Sequence, residues 1–343
     1  VNRLLTKGNI LLILGVLFLF MVPQFGLNKF YMHIVILILF YAAVSGSWNI
    51  LAGYAGQLSL GHAIFFGLGA YTSTLLLMKS GISPWIGMLV AVGLCLLVGA
   101  LIGYPCFRLK GPFFTLATLA FSEVIRLVAS FWKELTNGAV GLNIPFQPGW
   151  STMMFRSKEP YFYIALVILL LVIAITYWID RSKMGSYLVA IREDEEAAES
   201  LGIPISRYKM YAVLISSGLA GMTGVFYAQY ILFIDPEAVF NINFSVQVAL
   251  ISIIGGMGTV LGPLIGAVLM IPLNEILRSA FSGLNGLNFF IYGFVLILVV
   301  SLIPNGILPT VRNWLKKATA KKKGTRQVVA NPRNGGEQVD SAN

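Results

Sequence analysis

VQVALISIIGGMGTVLGPLIGAVLMIPLNEIL, residues 246–277, is an apolar run interrupted by Gly255-Gly256-Met257-Gly258-Thr259 and again by Gly262-Pro263. A helix needs about 20 apolar residues to cross a bilayer. This run can therefore hold one crossing with a re-entrant turn, or two helices meeting at a break. Which of the two it holds sets the parity of the fold. Eight further apolar segments fall at 10–25, 30–52, 58–78, 84–104, 112–131, 161–179, 210–234 and 287–303. The 343 residues are 57% hydrophobic and 11% charged, against about 25% charged in soluble domains. An all-α, polytopic membrane helix bundle of about 8–10 spans is expected, with one or more broken or re-entrant helices.

Basic residues give the orientation. Arg3/Lys7, Arg108/Lys110, the set Arg181, Lys183, Arg192, Arg207 and Lys209, and the tail are all assigned to the cytoplasm by the positive-inside rule. Nine full crossings would separate the termini, so one segment is re-entrant or split. Residues 246–277 are the best candidate, because a break inside an apolar run is tolerated where protein or a cavity surrounds it. The Gly-dense run Gly61–Tyr71 shares a spacing with it: Gly61/Gly67 and Gly256/Gly262 are both six apart. Paired interrupted segments hint at an internal repeat flanking a midplane site.

The ends carry their own signals. The run Ile10–Val22 follows Arg3 and Lys7 like a signal peptide, but no small-residue cleavage site follows it, so it is expected to be the first span. Residues 1–310 read as the membrane domain. The tail at 311–343 holds eight Lys/Arg and two acids, which is +6 of the net +10. It is expected to be disordered and to act as a cytoplasmic retention signal, with anionic lipid as an extra contact. Nucleic-acid binding is not expected. Cys95 and Cys106 have no metal-ligand spacing and read as small apolar residues, so no metal site is expected.

The connection at 180–209 is the most patterned of the polar segments. Six of the fourteen acids lie between Asp180 and Lys209, and its centre reads REDEEAAESLGIP at 192–204. Asp194 is placed to cap a short helix, with Glu195 and Glu196 in its first turn, where the helix dipole favours acids. Ala197 and Ala198 allow close approach of another surface, and Leu201 shares a face with Ala197. Gly202 suits a left-handed C-cap and Pro204 a stop. A docking element for a partner fits these residues, and so does a solvated amphipathic hairpin.

Other candidates lie in and between the spans. Gln57, Ser59 and His62 open a Gly-rich apolar helix, with Ser59 and His62 at i, i+3. They read as helix-packing hydrogen bonders, as pathway residues, or as a hydrolytic dyad, which lacks a nucleophile elbow or acid partner. Glu123 and Arg126 form an i, i+3 ion pair inside an apolar span, which reads as a structural salt bridge or as a contact for a zwitterion. Thr115 and Thr118 line a cavity or bond back to their own helix. Gly255, Gly256 and Gly258 offer backbone groups to a ligand, or serve as hinge or packing positions. Asn137, Gly138 and Gly141 begin an extramembrane loop where a partner can dock, or form an ordinary turn.

Glu196-Ala197-Ala198-x-x-x-Gly202 matches the EAA-loop motif of ABC-importer permeases. With GQLSLGH at 56–62, FFGLGAYTSTLL after it, GPFFTLATLAFSEVIRLV at 111–128, TNGAVGL at 136–142, LVAIREDEEAAESLGI at 188–203 and IIGGMGTVLGPLIGA at 253–267, the chain resembles the branched-chain amino-acid permease family, LivM-type, over about 30–308. The tail beyond 311 is outside the family core. The resemblance implies a second, similar permease subunit, one or two ATP-binding subunits docked on 194–202, and an extracytoplasmic binding protein. It implies import of leucine, isoleucine or valine through a bacterial-type cytoplasmic membrane. No G-x-x-x-x-G-K-[ST] loop occurs in these residues, so ATP is expected to be used by partners, with no cofactor in this chain. Urea or short-chain amides are alternative substrates. An ion-coupled carrier and an intramembrane enzyme are the readings of other classes.

Overall fold

The computed structural model describes residues 28–107 and 111–281, together with 20, 22–26, 109, 287–302, 306–311 and 314. The expected first span at 10–25 lies largely outside the described residues. So do Arg3, Lys7, Arg108, Lys110 and the tail apart from Val311 and Trp314. Helices dominate, and eight among the described residues are long and apolar enough to cross a membrane. The chain is an all-α polytopic membrane bundle.

Its first long helix, α1 (Lys29–Asn49), continues as a π-helical turn, Ile50–Tyr54. Then come α2 (His62–Ser80), α3 (Pro84–Cys106), α4 (Pro112–Phe131) and α5 (Glu159–Arg181). The 180–209 connection holds two helices, α6 (Lys183–Glu193) and α7 (Glu195–Ser200), where the sequence pointed to only one. After it run α8 (Ile205–Ile231), α9 (Ile242–Gly256), α10 (Gly262–Ala280) and α11 (Leu287–Leu302). The run at 246–277 is therefore two helices, broken at Met257–Leu261. Gly256 and Gly258 have φ of +127° and +73° there, conformations that favour glycine.

Among the eight candidate spans of the described residues, α1 with its π-helical turn is the most buried, followed by α8. Helices α2 and α8 meet backbone to backbone. A Cβ on Gly69 would lie 2.0 Å from the Gly221 carbonyl oxygen, and one on Gly224 would lie 2.0 Å from that of Phe66. Small residues let membrane helices approach this closely and gain dispersion contacts. Helix α2 stops at Gly81 (φ +63°), and Ser83-Pro84 starts α3, Ser83 Oγ accepting from the Trp85 amide. On the face opposite α6 and α7, β1 (Leu142–Asn143) pairs antiparallel with β2 (Phe233–Ile234).

Two expectations need correction. Helix α2 begins at His62, so Ser59 is not on it and the i, i+3 relation with His62 does not exist. Residues 55–61 run back along α1 instead, with the Trp48 indole donating to the Ser59 carbonyl at 2.7 Å. The glycine pairs are also not equivalent: Gly256 closes α9 and Gly262 opens α10, whereas Gly61 precedes α2 and Gly67 lies within it. The first break, residues 55–61 after the π-helical turn, and the second, Met257–Leu261, sit towards the α6–α7 face rather than at mid-span. Tyr54 donates to Asp180 Oδ1 there, at 3.1 Å.

Candidate functional site

Helix α7 is fully capped by its own sequence. Asp194 Oδ1 accepts from the amides of Glu196 (2.9 Å) and Ala197 (3.0 Å). At the other end Gly202 takes φ +80°. Its amide bonds the Glu199 carbonyl at 2.8 Å, and the Ile203 amide bonds that of Ala198 at 3.1 Å. This pair of bonds is a Schellman motif. The helix presents two faces. Ala198 is buried against the bundle, whereas Glu196, Ala197 and Gly202 are exposed and Leu201 is 81% exposed.

Glu195 faces inward. Its Oε1 accepts from Lys209 Nζ and from Gln57 Nε2 at 3.3 Å. Lys209 is 1% exposed, so this carboxylate compensates a buried cation. Gln57, expected to open a helix, instead links the first break to the α6–α7 segment.

The breaks are tied to each other and to the same segment. Asn49, fully buried on α1, donates from Nδ2 to the Thr259 carbonyl (2.9 Å) and accepts at Oδ1 from the Gly258 amide (2.8 Å). Arg192 Nη1 donates to the Gly53 carbonyl at 2.7 Å. Thr259 Oγ1 donates to the Gly256 carbonyl (2.6 Å) and accepts from the Gly262 amide (3.1 Å), closing the turn. Gly306 and Pro309 pack on Gly256. Gly255 is crowded rather than open, since a Cβ there would lie 1.8 Å from the Gly262 carbonyl oxygen.

Thr115 and Thr118 brace the first break. Thr115 Oγ1 donates to the Leu58 carbonyl at 2.7 Å. Thr118 Oγ1 donates back to the Thr115 carbonyl (3.0 Å) and accepts from the Leu60 amide (3.2 Å). Beside them is a cleft of about 490 Å³ lined by Gly56, Leu58, Gly111, Pro112, Thr115 and Leu116.

His62 and Ser59 do not meet. His62 Nε2 lies 2.8 Å from Ser216 Oγ, whose proton goes to the Ser47 carbonyl at 2.6 Å. Nε2 is then the donor. A serine that accepts from histidine and donates to a carbonyl is not poised as a nucleophile. Ser59 Oγ accepts from the Gly61 amide at 3.3 Å. The dyad has no support in this geometry.

Arg126 pairs with Glu123 through Nε (3.0 Å) and Nη2 (2.5 Å), and its Nη1 reaches Glu237 Oε2 at 2.5 Å. Glu237 extends the expected pair to a triad and also accepts from Asn241 Nδ2 at 2.6 Å. A second in-span pair, Glu275–Arg278 at i, i+3, occurs on α10. The side chains of Glu123 and Glu237 are 46% and 64% exposed. Glu123 lies within the spanning helix α4, where a carboxylate so exposed is costly against lipid, whereas Glu237 lies between β2 and α9. Asn137 and Gly141 form an ordered turn, with Asn137 Nδ2 donating to the Gly141 carbonyl at 2.7 Å. Gly138 continues that turn at φ +62°.

Asn49, Arg192, Lys209, Thr259 and Glu237 were not singled out from sequence as site residues. Asn49 alone carried a signal, as the sole amide side chain between Lys29 and Tyr54. Among the described residues no cluster of three or more His, Cys, Asp or Glu is placed to hold a metal.

Comparison with known proteins agrees with this architecture. The family model described as "Branched-chain amino acid transport system / permease component" matches residues 5–300. The high-affinity branched-chain amino acid transport system permease protein LivM of Escherichia coli K12 is 30% identical over 92% of this chain and 77% of its own length. The probable LivM permease of Methanocaldococcus jannaschii is 23% identical, over 78% and 90%. The LivH permease of Escherichia coli K12 is 26% identical, over 78% and 91%. No solved structure matches the chain. With a match that spans most of the bundle, the chain belongs to the branched-chain amino acid transport system permease family.

Proposed function

We propose that this chain is the membrane-spanning subunit of an ATP-driven importer of leucine, isoleucine and valine. Helix α7 is its docking element for separate ATPase subunits, and those subunits use the ATP. The carrying observation is Leu201, a large apolar side chain 81% exposed at the end of a helix held rigid by Asp194 and Gly202. Burying such a side chain in a partner's groove gains about 1.5–3 kcal/mol, and a preformed helix loses little entropy on docking. Ala197, on the same face, lets that groove approach the backbone, and Glu196 offers a charge to a basic partner.

The exposed side of α4 then faces a second, homologous permease subunit across the passage. Its apolar residues suit the desolvation of branched aliphatic side chains. A binding protein delivers substrate to the face formed by β1, β2 and the Asn137–Gly141 turn, and selectivity rests mainly there. The α6–α7 side is cytoplasmic, with both termini on it, in a bacterial-type cytoplasmic membrane.

Affinity purification of the tagged chain from its native membrane, followed by mass spectrometry, tests the partnership. ATP-binding subunits and a second permease are expected to copurify. Glu196→Lys is expected to lose the ATPases while retaining the second permease. Unchanged ATPase recovery in that variant would contradict the docking role of α7.

A further inference from the structure

Arg192 lies where three parts of the molecule converge. It is the next-to-last residue of α6, two positions before the Asp194 cap of α7. Its guanidinium works in two directions. Nη1 donates to the Gly53 carbonyl in the π-helical turn at 2.7 Å, while Nε (3.1 Å) and Nη2 (2.5 Å) bind Glu193 Oε1 on the surface.

Two glycines leave room for this side chain. A Cβ on Gly56 would lie 2.8 Å from Arg192 Cγ, and a Cβ on Gly258 would lie 2.7 Å from Arg192 Nη1. One glycine belongs to the first break and the other to the second, with φ of +70° and +73°. The arginine thus lies between the breaks. Asn49 joins them a turn further in, through Gly258 and Thr259.

We infer that Arg192 is a positioning residue that carries displacement of α7 to both helix breaks. The inference rests on the proposed docking of ATPases at α7. The chain path is short: Asp194 caps α7, and Glu193 alone separates it from Arg192. Pulling on Arg192 pulls on the Gly53 carbonyl. Through Asn49 the Gly258–Thr259 turn follows, so the end of α1 and the junction of α9 with α10 shift together. A guanidinium suits this role because its planar fork holds a carbonyl and a carboxylate in fixed relative directions, which an ammonium does not. The end of a helix suits it as well, because the last carbonyls have no onward backbone partner.

The test uses the assembled complex in proteoliposomes with its binding protein, reading ATPase recovery, ATP hydrolysis and leucine uptake in parallel. Arg192→Met keeps the aliphatic stem over Gly56 and removes only the donors. It is expected to retain ATPase subunits and ATP hydrolysis, while uptake per ATP hydrolysed falls about tenfold, the scale of a typical coupling between two sites. Asn49→Ala is expected to lower the same ratio. The double variant is expected to fall little further, because two links in one chain are not additive. A purely structural role would lower thermal stability and leave the ratio unchanged. Uptake per ATP within about twofold of wild type in Arg192→Met would overturn the inference, since that is less than the smallest usual coupling. If Arg192→Met does not accumulate, Asn49→Ala is read against the same thresholds. A wild-type complex with no ATP-dependent uptake would overturn the importer reading itself, and is distinguished by the unmutated control.

Discussion

Asn49 clasps the turn at the centre of the second helix break, accepting from the Gly258 amide at 2.8 Å and donating to the Thr259 carbonyl at 2.9 Å, from a position 209 and 210 residues earlier in the chain. Both groups belong to non-helical backbone within the bundle, where an unmet polar group is costly. Asn49→Leu removes both bonds and is expected to cost about 2–6 kcal/mol, at about 1–3 kcal/mol for each of the two groups left unpaired. Denaturant unfolding in detergent measures it, and an unchanged midpoint would show that the clasp carries no stability.

The Lys209–Glu195 pair makes an asymmetric prediction. Glu195→Ala leaves a cation that is 1% exposed without its carboxylate, at an expected cost of about 3–5 kcal/mol. Replacing both residues, as Glu195→Ala with Lys209→Met, is expected to recover most of that loss. Equal destabilisation by the single and double variants, read as thermal midpoints, would mean that the pair is not a compensated buried charge.

A Cβ placed on Gly202, at φ +80°, would meet no atom within 4 Å, so this position requires a backbone conformation and not space. Gly202→Val is expected to unwind the end of α7 and weaken ATPase recovery. Gly202→Asn, at a residue type that tolerates the left-handed region, is expected to retain it. Equal recovery in the two variants would contradict a role for the left-handed cap.

The crossing of α2 and α8 leaves no room for a side chain at Gly224, where a Cβ would stand 2.0 Å from the Phe66 carbonyl oxygen. Gly224→Val is expected to abolish accumulation of folded protein, or to lower its thermal midpoint far more than Gly93→Val, since Gly93 meets nothing within 4 Å. Size-exclusion profiles of the two variants provide the comparison.

The environment of α4 is testable by labelling. Leu127 lies one residue beyond Arg126 and is exposed, while Cys95 and Cys106 are buried. Leu127→Cys is expected to react with a membrane-impermeant maleimide in the isolated chain and to be protected on assembly with a second permease. Lack of reaction in both states would place this side against lipid.

Much of the scaffold is legible in the sequence because its signals are local. The bounds 112–131 for α4 coincide with hydropathy, Pro112 and the polar residues that follow. The break after Gly255-Gly256 and the caps at Asp194 and Gly202 follow from turn chemistry. The run at 58–78 misplaced the start of α2 by four residues, since Leu58 and Leu60 look equally apolar whether helical or extended. Hydropathy averages over that difference. The contacts that build the site are of another kind. Arg192 with Gly53 and Asn49 with Gly258 join residues 139 and 209 apart, and no periodicity encodes such a pairing. Lys209 looked like one more cytoplasmic charge and is instead buried against Glu195, because α8 packs its first turns against the α7 segment.

Uptake of radiolabelled leucine into proteoliposomes separates ATP-driven import from ion-coupled transport, with this chain, its partner permease, the ATPase subunits and the binding protein reconstituted together. ATP-driven import predicts uptake that requires ATP on the α6–α7 side, persists when the proton gradient is dissipated, and is lost in Glu196→Lys. Uptake that collapses with the proton gradient while ATP is maintained would contradict it.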